Sequence, residues 1–258
     1  VDRAALNQHR NFTLQVQRGF DRRAAAYDAH ARLQRAVAWR LARHGVALAL
    51  PTGPMADLGA GTGWVGRSLA LQGFPHRPLQ VDTSGELLAR NPLVHSGGGL
   101  QWDLNQGLPP ALAGAALLSS SFALQWLDAP LLQLERWCRS LAVGGWLLLA
   151  VPTAGSFPEW RTAARQGRIP CTGLPLPTAG ELERRAGHEL LLQRAERLRF
   201  SLPCVDGRAF LGELKAIGAG SSPSARLTPA QLRRLLQHWP TTGVVTWEVL
   251  VLVGRRAR

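Results

Sequence analysis

Residues 54–66, PMADLGAGTGWVG, constrain the fold more than any other stretch. A short apolar run ending at Asp57 is followed by glycines at alternate positions, Gly59, Gly61 and Gly63, and then by helix-forming sequence from Trp64. Glycines so placed leave a turn without β-carbons, over which a ligand can approach the backbone closely. The helix beyond offers unpaired N–H groups and the positive end of its dipole. The spacing predicts a buried strand, a glycine turn and a helix start, which together make a nucleotide-type cofactor site. Gly61 to Gly66 also satisfies the GxGxxG pattern of dinucleotide binding, so the glycines alone do not choose the cofactor. Asp57 discriminates better, because a carboxylate there repels a pyrophosphate and attracts an ammonium group.

The stretch resembles motif I of class I S-adenosylmethionine-dependent methyltransferases, an acid followed by GxGxG, and the ammonium of S-adenosylmethionine suits Asp57. The resemblance implies a cofactor set of Asp57, Gly59, Ala60, Gly61, Gly63 and Trp64. A second predicted strand, 78–81, ends at Asp82, some twenty residues past the glycine turn, where an acid can accept both ribose hydroxyls. Its alternative is to cap a helix starting near Ser84. A short third strand, 100–102, precedes Asp103. The class I pattern sets an acid here against the adenine amino group, whereas a turn before Asn105 and Gly107 would use it locally. Thr83, Leu104 and Ser120, beside these strand ends, complete the expected set.

Strands and helices alternate from Pro54 onward, which implies a mostly parallel sheet. Further strands are predicted at 115–119, 146–152, 191–202 and 244–253. Helices are predicted at 63–72, 130–141, 159–165, 178–186, 205–218 and 228–239. Residues 10–45 hold no proline and space Phe20, Ala24, Tyr27 and Ala31 as one helical face. We expect a single α/β, Rossmann-like domain with a seven-stranded sheet whose last strand runs antiparallel. In it, 1–50 form an N-terminal helical segment, 54–152 the cofactor core, 153–190 and 203–243 a helical cap, and 244–258 the final strand.

The net charge is +13, and Lys215 is the only lysine among thirty basic residues. A basic chain attracts acidic partners such as nucleic acid, an anionic membrane or an acidic carrier protein. Its arginines are scattered rather than interleaved with aromatics, which reads as solvated helix faces and not as a nucleic-acid stripe. No apolar run reaches bilayer-spanning length, and VDRAALNQHR lacks the apolar centre of a secretion signal. Cys138, Cys171 and Cys204 lie far apart with no CxxC, and no HExxH is present. These features predict a cytoplasmic, monomeric protein without metal, disulfides or membrane contact.

Three stretches outside the glycine turn resemble the malonyl-acyl-carrier-protein O-methyltransferases of biotin synthesis. They are FDRRAAAYDAHARLQR (20–35), SSSFALQW (119–126), and LKAIGAG (214–220) followed by LTPAQLRRLLQHWP (227–240). Ala60 stands where that family often has Cys, and Ser121 replaces a frequent Asn. The resemblance implies methyl transfer from S-adenosylmethionine to the free carboxylate of a malonyl thioester on acyl carrier protein or coenzyme A. The alternative is another small carboxylic acid or metabolite. From spacing alone the tip of Tyr27 could face a ligand or satisfy a core hydrogen bond. The resemblance places it near the methyl donor, with Gln125 and Trp126 lining the acceptor pocket. Lys215 or Arg161 is our candidate for the cation that holds the malonyl carboxylate. Such a carboxylate is already ionised at neutral pH, so no general base and no triad are expected. Two rivals explain less. A nucleic-acid amino methyltransferase would need an Asp/Asn/Ser-Pro-Pro-aromatic element after strand four. An NAD-dependent oxidoreductase commonly starts its binding unit near the N-terminus.

Overall fold

The computed structural model describes residues 3–95 and 97–257. Val1 and Asp2, in the stretch tested for a secretion signal, lie outside the described residues. Three helices open the chain: α1 (Arg3–Arg23), α2 (Tyr27–His30) and α3 (Arg32–Gly45). The expected continuous face through Phe20, Ala24, Tyr27 and Ala31 does not form, because the chain turns at 24–26 and again at Ala31. Both corners bury an alanine, Ala24 and Ala31, and small side chains suit helices meeting so closely. The third helix does behave as its pattern predicts, burying Leu33, Val37 and Leu41 along one face.

Beyond Pro54 the order is β1 (Met55–Leu58), α4 (Trp64–Leu71), β2 (Leu79–Asp82), α5 (Gly85–Leu88), β3 (Gly99–Gln101), β4 (Ala115–Ser121), α6 (Pro130–Ser140) and β5 (Leu141–Pro152). Then follow α7 (Pro158–Gln166), α8 (Ala179–Gly187), β6 (Leu190–Pro203), α9 (Gly207–Ala216), α10 (Pro229–Gln237) and β7 (Val244–Arg256). The seven strands form one sheet in the order β3-β2-β1-β4-β5-β7-β6. Its first five strands pair in parallel, and β7 runs antiparallel to both β5 and β6. Ligands of such sheets bind beyond the carboxyl ends of the strands where the order reverses, which here is between β1 and β4.

Apolar side chains cover both faces, as the unbroken apolar sequence of β5 requires. On one side Leu41, Leu69 and Leu148 pack with Val249 and Val251, joined by Trp160, Phe210 and Trp239 from the segments after β5. On the other, Leu134, Trp137 and Leu182 of α6 and α8 meet Leu118, Leu147 and Leu250. The fifth strand starts at Leu141 rather than near Trp146, because the glycine pair is carried inside it. Ala115 pairs with Leu141 and Leu117 with Trp146, and the skipped residues make a bulge at Gly144, whose φ is +81°. Among the described residues no helix is long and apolar enough to cross a membrane, and no group of His, Cys, Asp and Glu could hold a metal.

Candidate active site: two cavities of opposite charge

Where β1, β2 and β4 end, a cavity of about 110 Å³ is lined by the glycine turn and three carboxylates, Asp57, Asp82 and Asp103. Among the described residues no Arg, Lys or His lines it. Gly61 has φ +53°, and a β-carbon added there would meet nothing nearer than Leu87 at 3.8 Å, so bare backbone faces the cavity. Asp82 braces this turn: one carboxylate oxygen accepts Gly61 N–H at 2.8 Å and the other accepts Ser84 N–H at 2.8 Å. Helix α5 is capped by Ser84, whose hydroxyl accepts Leu87 N–H, so Asp82 is not the cap. Asp103 accepts Asn105 N–H at 2.9 Å, the local role read from the turn, and it also lines the cavity.

Asp57 is the unusual member. It is 1% exposed; one oxygen accepts the Ser119 hydroxyl at 2.9 Å, and the other is buried with no partner. Burial, reinforced by the charge of Asp82, pushes its carboxyl from 3.8 up to about 7, against the opposing pull of the Ser119 hydroxyl and, more weakly, of the Gly66 N–H. Burial raises Asp82 as well. An orphaned carboxylate oxygen in a water-poor cavity calls for a cation with N–H donors. The residues present therefore fit a cationic cofactor, and three acids disfavour a pyrophosphate.

The N-terminal helices close over this cavity through polar contacts. Gln17 donates to Thr83 O at 3.0 Å, and the Ser84 hydroxyl donates to Asp21 at 2.5 Å. Asp28 accepts from the Thr62 hydroxyl at 2.6 Å and Trp64 Nε1 at 2.9 Å, with Arg67 at 3.5 Å and stacked 4.0 Å over the Trp64 ring. Most small-molecule sites enclose roughly 300–1,000 Å³, so this cavity is small under its helical cover.

A second, larger cleft of about 1120 Å³ adjoins the first. Phe20, Tyr27, Gln34, Phe122 and Trp126 line both, so they form a shared wall. Phe20 sets its ring edge against Trp126 at 5.6 Å. Phe122 holds a left-handed backbone (φ +56°), with its N–H on Ala150 O and its carbonyl accepting Gln125 Nε2 at 2.8 Å. Strained backbone of this kind concentrates at functional sites. Burial raises the Tyr27 phenol well above its usual range, so it stays a neutral donor. The cleft is apolar along Leu174, Leu176, Leu214 and Trp247, carries Arg18, Arg22, Arg23, Lys215 and Arg226, and among the described residues has no Asp or Glu in its lining.

The predicted residues divide accordingly. Asp57, Gly59, Ala60, Gly61, Trp64, Asp82, Thr83, Asp103 and Leu104 line the small cavity. Gln125 and Lys215 line only the large cleft, while Tyr27 and Trp126 serve both. Two of the expected set face neither: Gly63 precedes α4 as its N-cap, and the buried Ser120 hydroxyl donates to Leu58 O. Arg161 also lies outside, its guanidinium turned onto the Ser156 carbonyl. Gln34, 8% exposed and at the junction, was missed although it lies inside the 20–35 stretch. A glutamine interrupting the apolar face of α3 was the available signal. The Asp28 contacts carried no sequence signal, since they join residues more than thirty positions apart.

Parallel strands with an antiparallel seventh, and a glycine turn flanked by acids, define the architecture of the class I S-adenosylmethionine-dependent methyltransferases. A Bacillus subtilis protein, YcgJ, superposes with a TM-score of 0.58 at 12% identity over 86% of this chain and 99% of its own. The geranyl diphosphate C-methyltransferase of Streptomyces coelicolor, solved with S-adenosyl-L-homocysteine, gives 0.52 at 17% identity over 87% and 80%. No family model matches the chain. Two curated relatives carry the particular assignment. The malonyl-[acyl-carrier protein] O-methyltransferase of Herminiimonas arsenicoxydans is 32% identical over 212 residues, 80% of this chain and 78% of that protein. The biotin biosynthesis bifunctional protein BioCD of Bordetella avium is 34% identical over 254 residues, 94% of this chain. The chain spans about half the length (52%) of the Bordetella protein. The chain belongs to the malonyl-[acyl-carrier protein] O-methyltransferase family.

Proposed function

We propose that the protein transfers a methyl group from S-adenosylmethionine to the free carboxylate of a malonyl thioester carried by acyl carrier protein or coenzyme A. The observation that carries this reading is the pair of cavities sharing one wall, acidic on one side and cationic on the other. A cationic donor and an anionic acceptor are sorted to opposite sides by charge. The names of the curated relatives support the acceptor.

In this reading Asp57 takes the ammonium of the cofactor, Asp82 its ribose, and Asp103 its base, over the backbone of Gly59 to Gly61. The cofactor supplies an electrophilic methyl group on a sulfonium. Lys215 steers the acceptor carboxylate into the cleft, and the Tyr27 hydroxyl with Gln34 orients it at the wall. Trp126 and Phe122 exclude water there. No side chain need remove a proton, so alignment and desolvation provide the acceleration. Residues 153–190 and 203–243 form the cap of the acceptor half, and 54–152 the cofactor half. A methyl ester hides a charge that is costly to bury, so a masked malonyl unit can enter apolar elongation channels.

Mass spectrometry of malonyl-carrier protein incubated with the enzyme and S-adenosylmethionine tests the reading. One added methyl is expected, and an unmodified carrier at full enzyme occupancy would overturn it. Carrier docking led by charge also predicts a KM that climbs steeply with salt; a flat profile between low and physiological salt would remove that element.

The Asp28 contacts predict a kinetic effect. Asp28→Ala should speed dissociation of S-adenosylhomocysteine roughly tenfold, the loss of about 1–1.5 kcal/mol expected of hydrogen bonds to a charged but exposed acceptor. Stopped-flow tryptophan fluorescence would report it, and an unchanged rate would show that the N-terminal helices do not gate the site.

A further inference from the structure

The acceptor cleft carries more positive charge than one carboxylate needs. Five cations line it, all exposed, and among the described residues none of them forms an ion pair. Carboxylates are spent elsewhere, in pairs such as Arg40–Glu196, Arg139–Glu189 and Arg197–Glu183. Within the cleft, Arg18 and Arg22 lie one turn apart on α1, a like-charge spacing that is unfavourable unless an anion sits between them. Arg226 joins them from the loop between α9 and α10. The same cleft is far larger than a malonyl group and has an apolar floor at Leu174, Leu176 and Leu214. Its shape and charge suit a long ligand whose reactive carboxylate reaches the wall at Tyr27 and Trp126, whose middle is largely apolar, and whose other end is a second anion.

We infer that Arg18, Arg22 and Arg226 form a phosphate subsite that takes the 4′-phosphate of a phosphopantetheine arm, while Lys215 serves the carboxylate. The inference rests on the acceptor assigned above. Guanidinium forks match phosphate oxygens in pairs, which makes arginine the suited residue. The ligand chemistry is shared by carrier protein and coenzyme A, since both present this phosphate on the same arm.

The test compares malonyl-pantetheine, its 4′-phosphate, malonyl-coenzyme A and malonyl-carrier protein as acceptors, with wild type and with Arg18→Gln/Arg22→Gln and Arg226→Gln variants. The readout is the ratio of kcat/KM with and without the phosphate, which does not depend on the fraction of folded enzyme. In the wild type the phosphate should raise kcat/KM at least roughly tenfold, mostly through KM, and each variant should shrink that ratio to about threefold or less. Equal kcat/KM for the two pantetheine compounds in the wild type would overturn the subsite. So would an undiminished ratio in both variants. A preference for carrier protein over coenzyme A with no phosphate effect would mean that the cations meet the acidic face of the carrier instead. If no acceptor, carrier protein included, gains a methyl, the acceptor assignment itself fails, an outcome distinct from a missing phosphate effect.

Discussion

Asp57→Asn should weaken S-adenosylmethionine binding by roughly a hundredfold or more while making the cofactor-free protein more stable above pH 7. Both effects come from one buried oxygen without a partner. The folded carboxyl is held at about 7 against 3.8 in the open chain. Folding therefore favours its protonated form. On this account stability is unaffected below about pH 4, falls as the pH rises toward 7, and stays reduced above it. The full penalty is roughly 4 kcal/mol as an upper limit, from about 1.4 kcal/mol for each tenfold change. An asparagine removes that pH dependence, so the melting temperature of the variant should exceed wild type at pH 8 and match it near pH 4. Cofactor affinity moves the other way, because breaking a buried charge pair costs about 3–5 kcal/mol. Thermal melts across pH and calorimetric titration check the two halves. Wild-type affinity in the variant, or a loss of stability at pH 8, would refute the role given to Asp57. Near neutral pH the wild type should also release part of a proton on binding, visible as a dependence of the calorimetric heat on the buffer.

Gly59→Ala should destabilise the fold by about 3 kcal/mol or more and abolish methyl transfer. Its β-carbon would fall 2.1 Å from that of Ala123, and its backbone has φ +70°. Overpacking costs roughly 1–3 kcal/mol and a left-handed alanine about 1–2. The two terms separate in a double variant. Ala123→Gly opens the space but leaves the backbone strain, so the pair should regain about half of the lost melting temperature. A single variant that melts like wild type would contradict the close approach of the turn to the loop after β4.

Much of this architecture was legible because it is written locally. The glycine turn, the apolar run of β5 and the Thr-led starts of α8 and α10 each specify their own conformation. Thr178 and Thr228 both form capping boxes, with Glu181 and Gln231. The seven-stranded, mostly parallel sheet with its antiparallel last strand follows from that regularity, and nine of the named residues line one cavity. What stayed hidden depends on distant contacts. The break at Ala24 to Ala26 contains no Gly or Pro, and alanine favours helix, so nothing local announces it. Ser120 and Ser121 look alike in sequence. Only the alternation along β4 decides that Ser120 turns to Leu58 and Ser121 to the cavity.

Three of the five residues between the two cavities, Phe20, Tyr27 and Gln34, come from the N-terminal helices, which also cover the small cavity. Any lifting of that cover to admit a donor would take Phe20, Tyr27 and Gln34 out of the wall, so in the proposed reading an acceptor meets a complete wall only while the cover is down. Turnover should accordingly run in strict sequence, donor on first and demethylated donor off last. Initial-rate kinetics would show S-adenosylhomocysteine competing with the donor alone, and the rate of reopening would set the ceiling on kcat.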